Sequence, residues 1–380
     1  MNLKCDSNTA NVLRSKTTDL FHYVRLTELQ KKNRETNLAE IKNKDLTLNS
    51  YPRRLVLELT NACNLNCIMC GRNESNFTYN FFDWKHVENL KHILEYKVEE
   101  VTLFGWGEPT IHPQFKDILK FLSRYPVRKY FLTNGTTLHI IKDYVLDYKV
   151  DIMAVSLDGA TAETNNKIRI KSNFDQIVSG LKSIIQQKRE KRVQYPYINF
   201  VITLMSSNLH ELPDMVNLAY DIGIEEVKAV YLTAFSEKLK DEVLWDKKKE
   251  VKEVFDETIK RGNKLGINVK LPYIQGEDIA GDKLHKDCFV GWRDFFIGSD
   301  GYVRPCQSIS QKMFHISKYD SFGEGWNSAE FINFRSVVND PQRMLEECKR
   351  CYQSSHANWN RKTSFLQIGQ KFAPNWGKDE

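Results

Sequence analysis

The chain has 380 residues, 41% apolar and 27% charged, with 55 basic against 49 acidic side chains and a net charge of +6. That length accommodates one large domain and a smaller one, and so mild and interspersed a basic excess does not by itself indicate nucleic acid. No stretch approaches the eighteen or so apolar residues of a membrane span, and the opening MNLKCDSNTANVLRSK lacks a secretory apolar core and cleavage pattern. These features predict a cytoplasmic protein with reduced thiols and neither membrane nor nucleic-acid partners.

Residues 1–52 form a polar, Lys/Arg-bearing extension with helix expected around TDLFHYVRLTELQKKN, closed by Pro52, which disfavours helix at the residues before it. An alternation follows. RLVLELT reads as a strand, and DWKHVENLKHILEY as a helix with Val87, Leu90, Ile93 and Leu94 on one face. VEEVTLFG, RKYFLTNG, VDIMAVSLDG, YINFVITL and EEVKAVYL read as five further strands separated by helical stretches. Six strands with intervening helices predict an α/β fold with a parallel sheet, doubly wound or curled into an open barrel. In either geometry the carboxyl ends of the strands form the ligand site.

After residue 232 the rhythm changes to a charged helix, EVLWDKKKEVKEVFDETIKRGNKLG, and then INVKLPY. We therefore expect an extension over 1–52, a core over 53–235, a linking helix and strand over 236–275, a cysteine-bearing domain over 276–355 and a tail over 356–380. FFIGSDGYVRP reads as a hairpin turning at Asp300 and Gly301.

Seven of the eight cysteines fall into two sets. Cys63, Cys67 and Cys70 follow the first strand, too many for a disulfide and too few for a closed zinc site. Three thiolates on a four-iron cluster leave one iron open, and an open position admits a substrate. Cys288, Cys306, Cys348 and Cys351 form the second set, and by spacing alone they suit tetrahedral zinc as well as a cluster. Cys5, in the polar extension, reads as incidental.

The spacing Cys63-x3-Cys67-x2-Cys70 resembles the cluster motif of the radical S-adenosylmethionine (SAM) superfamily. Further motifs follow in that family's order, each at a strand end. FGWGEP resembles the family's GGEP segment, with Trp106 in place of one of its two glycines; TNG, SLDG and NNKIRIKSNF come after it. The resemblance spans roughly residues 54–235. It implies a partial (β/α)6 barrel and a [4Fe-4S] cluster on Cys63, Cys67 and Cys70 whose open iron chelates SAM. It also implies SAM contacts from Gly105, Trp106, Gly107, Glu108, Pro109, Thr133, Asn134, Ser156, Asp158 and Arg169. The second cysteine set, with Gly301-x4-Cys306 and the Cys348-x2-Cys351 knuckle, resembles the twitch domain, a shortened SPASM domain, and implies one fully ligated auxiliary [4Fe-4S] cluster.

By that resemblance the chain is an enzyme that splits SAM to a 5′-deoxyadenosyl radical and removes hydrogen from a substrate. The auxiliary cluster fits net oxidation or epimerisation, and the reductant is of the flavodoxin or ferredoxin kind. The polar extension looks too short for the winged-helix peptide-recognition domain of many peptide-modifying relatives. That favours a polar small molecule (sugar, aminocyclitol or nucleotide-sugar) over the alternative, epimerisation or crosslinking of a ribosomal peptide. A zinc-bearing module without catalysis is the second alternative. No general base stands out: His112 reads as structural or capping, and His356 sits in a tail that either closes over the barrel mouth or packs on the surface.

Overall fold

The computed structural model describes residues 26–74, 78–88, 90–277, 287–351 and 360–368. Its frame is a ten-stranded sheet of order β10-β9-β8-β1-β2-β3-β4-β5-β6-β7. The strands are β1 (Arg54–Leu57), β2 (Glu100–Leu103), β3 (Arg128–Thr133), β4 (Ile152–Ser156), β5 (Tyr197–Leu204), β6 (Glu226–Tyr231), β7 (Asn268–Lys270), β8 (Asp294–Ile297), β9 (Tyr302–Arg304) and β10 (Phe314–His315). From β8 through β1 to β7 all pairings are parallel, and the β8–β9 and β9–β10 pairings are antiparallel.

The helices between them are α1 (Glu28–Asn43), α2 (Lys85–Glu88), α3 (Lys91–Tyr96), α4 (Phe115–Leu122), α5 (Leu138–Asp147), α6 (Ala162–Ile168), α7 (Phe174–Lys191), α8 (Leu212–Ile222) and α9 (Lys248–Leu265). Their apolar stripes bury against the outward residues of the sheet, as Ile118, Ile141, Ile177, Leu181 and Val216 do, each at most 2% exposed. The inward residues of the strands face a cavity of about 350 Å³.

Three differences from the sequence expectation concern boundaries. The strand expected within a linker, β7, extends the barrel sheet beside β6. The hairpin forms, with Gly301 at φ +77°, yet β8 does not open a separate sheet. It pairs with β1 in register Arg54↔Asp294 to Leu57↔Ile297, so the cysteine-bearing segment is continuous with the barrel. The helix expected over 83–96 is divided into α2 and α3. Bonds to the third residue back, Val87 N–H to the Trp84 carbonyl and Leu90 N–H to the Val87 carbonyl, tighten the turn and keep both side chains in the core.

The extension departs from the usual helix in a further way. The helical stretch described there is α1, and its buried side chains are Gln30, Asn33, Asn37 and Glu40, while Leu29 and Leu38 are about half exposed. The buried stripe bonds backbone. Gln30 donates to the Val98 and Pro126 carbonyls, Asn33 to the Tyr51 carbonyl, and Asn37 to the Trp292 carbonyl and Ser50 Oγ; Glu40 accepts from Asn49 N–H and Ser50. Carbonyls and amides at the amino-terminal side of the sheet are thereby satisfied by side chains. Among the described residues no helix is long and apolar enough to cross a membrane.

Candidate functional site

The first cysteine set sits in the loop after β1, at the carboxyl ends of the strands. Two anchors shape this loop. Asn66 N–H and Ile68 N–H donate to the Ile170 and Ile168 carbonyls, and Asn61 exchanges bonds with the Thr78 carbonyl and Asn80 N–H. Cys67 is buried and Cys63 and Cys70 are half-buried, all as free thiols. Donors surround the sulfurs: Leu65 N–H lies 3.5 Å and Asn134 Nδ2 3.6 Å from Cys63 Sγ, and Arg169 lies 3.9 Å from Cys67 Sγ. Arg72 also bonds Cys63. Burial pushes the Cys67 thiol up to about 12; Arg169 opposes that rise, and Cys70 and Cys63 add to it.

The GWGEP loop packs on this cysteine loop at backbone distance. A Cβ on Gly107 would lie 2.2 Å from the Ala62 carbonyl oxygen and 2.3 Å from that of Thr60, which requires glycine. Glu108 N–H donates to the Ala62 carbonyl. The Glu108 carboxylate, 2% exposed, turns to the next strand end, accepting from Thr110 N–H and Oγ1, Thr133 Oγ1 (2.7 Å) and Asn134 N–H (2.6 Å). Asp158 is fully buried, pairs with Arg169 Nε at 2.8 Å and accepts from Thr203 N–H at 2.7 Å. Glu108, Thr133 and Asp158 are thus engaged with protein partners, whereas Ser156 and Arg169 line the cavity. Trp106, at the position where the motif has glycine, packs on Val56 and Phe296 inside the barrel. His112 is buried, its Nδ1 accepting from Gln114 N–H and its Nε2 therefore donating to the Phe82 carbonyl.

At the far end of the same cavity stand Cys288, Cys306, Cys348 and Cys351. Asn339 fixes Cys288 by bonding both its N–H and its carbonyl. Burial raises the Cys306 thiol well above its ordinary value, and the proximity of Cys288, Cys348 and Cys351 adds to the rise; Cys288 is pushed up to about 12. Half-buried thiols that raise one another's pKa are a donor set that a soft metal centre stabilises by taking the thiolates, with release of protons. Among the described residues no three His, Cys, Asp or Glu side chains close on a single-ion point. Three free thiols in one loop, and four that line one cavity and raise one another's pKa, are thiolate donor sets of the kind that hold an iron–sulfur cluster.

At the amino ends of the strands, beside Cys288, lies a charged layer that the sequence reading missed. Arg54 and Arg293 both pair with Asp294 (2.5 and 2.6 Å), next to Glu100, with Lys228 on the facing strand. The signal was available in the period of two, since Lys228 alternates with the outward Val227 and Ala229 in EVKAVY. Glu58 was also missed; it sits in the run LELT that leads to the cysteines, fully buried. Cys5 and His356 lie outside the described residues. Of the tail, Phe365 packs on Tyr231 and Trp245, and the backbone of 365–367 pairs with Ala234 beyond β6.

A parallel half-barrel with three thiols at its carboxyl end and four at its base defines an α/β-barrel protein built for iron–sulfur clusters. Residues 57–219 match the radical SAM superfamily model and residues 288–352 the SPASM iron–sulfur cluster-binding domain, so the chain carries a radical SAM domain followed by a SPASM domain. It is 24% identical over 326 residues to the tungsten-containing aldehyde ferredoxin oxidoreductase cofactor-modifying protein of Pyrococcus furiosus, covering 78% of this chain and 86% of that one. A shorter likeness, 28% over 174 residues, joins it to the mycofactocin maturase of Mycobacterium tuberculosis, covering 45% of this chain and 43% of the relative. Among solved structures, Streptococcus suis SuiB bound to SAM aligns with a TM-score of 0.63 at 15% identity, over 88% of this chain and 82% of that one. The two domains carry a SAM-binding [4Fe-4S] cluster and auxiliary iron–sulfur binding, with SAM as cofactor.

Proposed function

We propose that this protein is an enzyme that removes a hydrogen atom from a polar small molecule held in the barrel cavity and completes a net oxidation or an epimerisation with an auxiliary cluster. The observation that carries this reading is the cavity itself, with Ser156 and Arg169 at one end and four cysteines at the other. About 350 Å³ suits a ligand of small-molecule size. A relative whose likeness spans 78% of this chain and 86% of its own is named for modifying a cofactor, which supports a small-molecule substrate.

When bound, the first cluster would supply the electron for the reductive cleavage of SAM. Cys63, Cys67 and Cys70 would hold that cluster, and Cys288, Cys306, Cys348 and Cys351 the auxiliary one. Arg169 and Asn134 place donors beside the first thiols, stabilising negative charge there. The backbone of 105–107, Asn134, Ser156 and Arg169 would face SAM. Glu108, Thr133 and Asp158 orient those groups from behind. Arg54, Arg293, Asp294 and Lys228 give the cavity wall its polar contacts, and the apolar residues around them exclude water. A flavodoxin or ferredoxin would be the reductant.

The test is an anaerobic reconstitution with SAM, a strong reductant and deuterated candidate substrates. Transfer of deuterium into 5′-deoxyadenosine from a small polar molecule is the expected result. Transfer only from a ribosomal peptide would replace the small-molecule reading by the peptide one, towards which the mycofactocin maturase likeness points. Stoichiometric zinc without sulfide would overturn both.

A further inference from the structure

Glu58 is a fully buried carboxylate that none of the roles above uses. It stands one residue past β1, five residues before Cys63. Its Oε1 accepts from Trp106 N–H at 2.7 Å. Its Oε2 accepts from Ser299 N–H at 3.0 Å and from Ser299 Oγ at 2.8 Å. Gly105 seats directly on the same side chain, for a Cβ there would lie 2.2 Å from Glu58 Cγ. Ser299 belongs to the hairpin loop between β8 and β9, whose outgoing strand reaches Cys306 two residues after Arg304. Three chain segments, each leading to one part of the cofactor apparatus, therefore meet on one carboxylate.

We propose that Glu58 is a positioning residue that clamps the backbone of the 104–109 loop to the hairpin leading to Cys306, so that one side chain holds both ends of the cavity in register. The consequence for SAM rests on the reading above that the 104–109 loop meets SAM; the clamp itself does not.

The chemistry gives the clamp a proton dependence. An ionised carboxylate has two acceptor oxygens and no donor, which suits three converging donors. A protonated one carries an O–H that either meets a backbone N–H or turns the Ser299 hydroxyl from donor to acceptor, so one of the three donated bonds is lost. Burial raises this group to about 7 against the pull of the Trp106 and Ser299 hydrogen bonds and of Arg304. The charged groups facing it are few. On β9, Arg304 is paired with Asp300 of the hairpin at 2.7 Å, and Lys312 lies 3.7 Å from that same Asp300. In the 104–109 loop, Glu108 is occupied by Thr110, Thr133 and Asn134. The clamp is thus closed above neutral pH and loosens below it. A ligand that favours the closed loop binds more tightly as pH rises and expels a proton when it binds.

The experiment uses the full chain and Glu58→Gln, an isostere whose amide sets an N–H against one of the three donors. Hydrogen exchange in the protein without clusters is read at the Trp106 and Ser299 amides. Both should be protected at about pH 8, open together below about pH 7, and exchange about tenfold faster in Glu58→Gln. In the cluster-loaded chain, SAM affinity should weaken as pH falls through about 7, and Glu58→Gln should bind about tenfold more weakly with a flat pH profile. Ser299→Ala, which removes one donor to the carboxylate, should move the midpoint upward; it also serves as the test variant if Glu58→Gln fails to fold. Unchanged exchange at both amides, or a Glu58→Gln chain with the parent's SAM affinity and profile, overturns the clamp. A parent chain that binds no SAM at any pH while the two amides still open together overturns the SAM reading and supports the clamp.

Discussion

At the scale of single residues, the two thiol sets are separable by chemistry. Cys67 is the most enclosed of the first three, with Arg169 beside it. Cys67→Ala removes a thiolate from a set that has no spare. The anaerobically loaded variant should fall from about eight iron atoms to about four and should form no 5′-deoxyadenosine. Cys306→Ala should lose iron too, yet keep SAM cleavage while forming no product, since its sulfur stands at the opposite end of the cavity. Iron and sulfide analysis beside chromatography of the nucleoside distinguishes the two patterns; equal loss of SAM cleavage in both variants would contradict the division of roles. Arg72, two residues after Cys70 and hydrogen-bonded to Cys63, had a visible sequence signal only in its adjacency to the third cysteine.

Elements carry a different lesson, seen in α1. Its low apolar content suggests a solvated helix, yet its polar stripe is the buried one and its leucines face outward. Each buried amide replaces water on a carbonyl of the barrel base, and deleting one leaves a buried acceptor unpaired. Asn37→Ala should lower unfolding free energy by about 1–3 kcal/mol, because Ser50 and the Trp292 carbonyl both lose a partner. Leu38→Lys, half exposed, should change it by less than about 0.5 kcal/mol. Denaturant titration of the two variants checks this, and the reverse order would refute the inverted face.

For the molecule as a whole, the junction of β8 with β1 decides whether the cysteine-bearing segment is part of the barrel. Asp294 lies on that junction between Arg54 and Arg293. Burial would raise its carboxyl, but Arg293 and Arg54 outweigh that and bring it down to about 2. A carboxyl lowered in the fold contributes stability that is complete above its ordinary value of 3.8. That contribution is lost as pH falls from there towards about 2. Asp294→Asn leaves two half-buried guanidiniums without their shared carboxylate and should cost about 3 kcal/mol at neutral pH. The variant should also lose the parent's added dependence on pH in the acid range. Thermal unfolding across that range measures both; a variant as stable as the parent would show that the ion triad does not hold the junction.

What the sequence determined alone was the alternation of strand and helix, the two thiol sets and the order of motifs at strand ends. Each of these is local, set by side-chain period, by spacing along the chain or by a glycine that a close approach demands, as at Gly107. Only tertiary structure decided that β7 and β8 flank the barrel sheet, that α1 buries its amides, and that Glu58 faces Ser299 across 241 positions of sequence. Those facts depend on which segments meet in space. A polar side chain reads the same in sequence whether it meets water or a buried carbonyl, and only the fold supplies its partner.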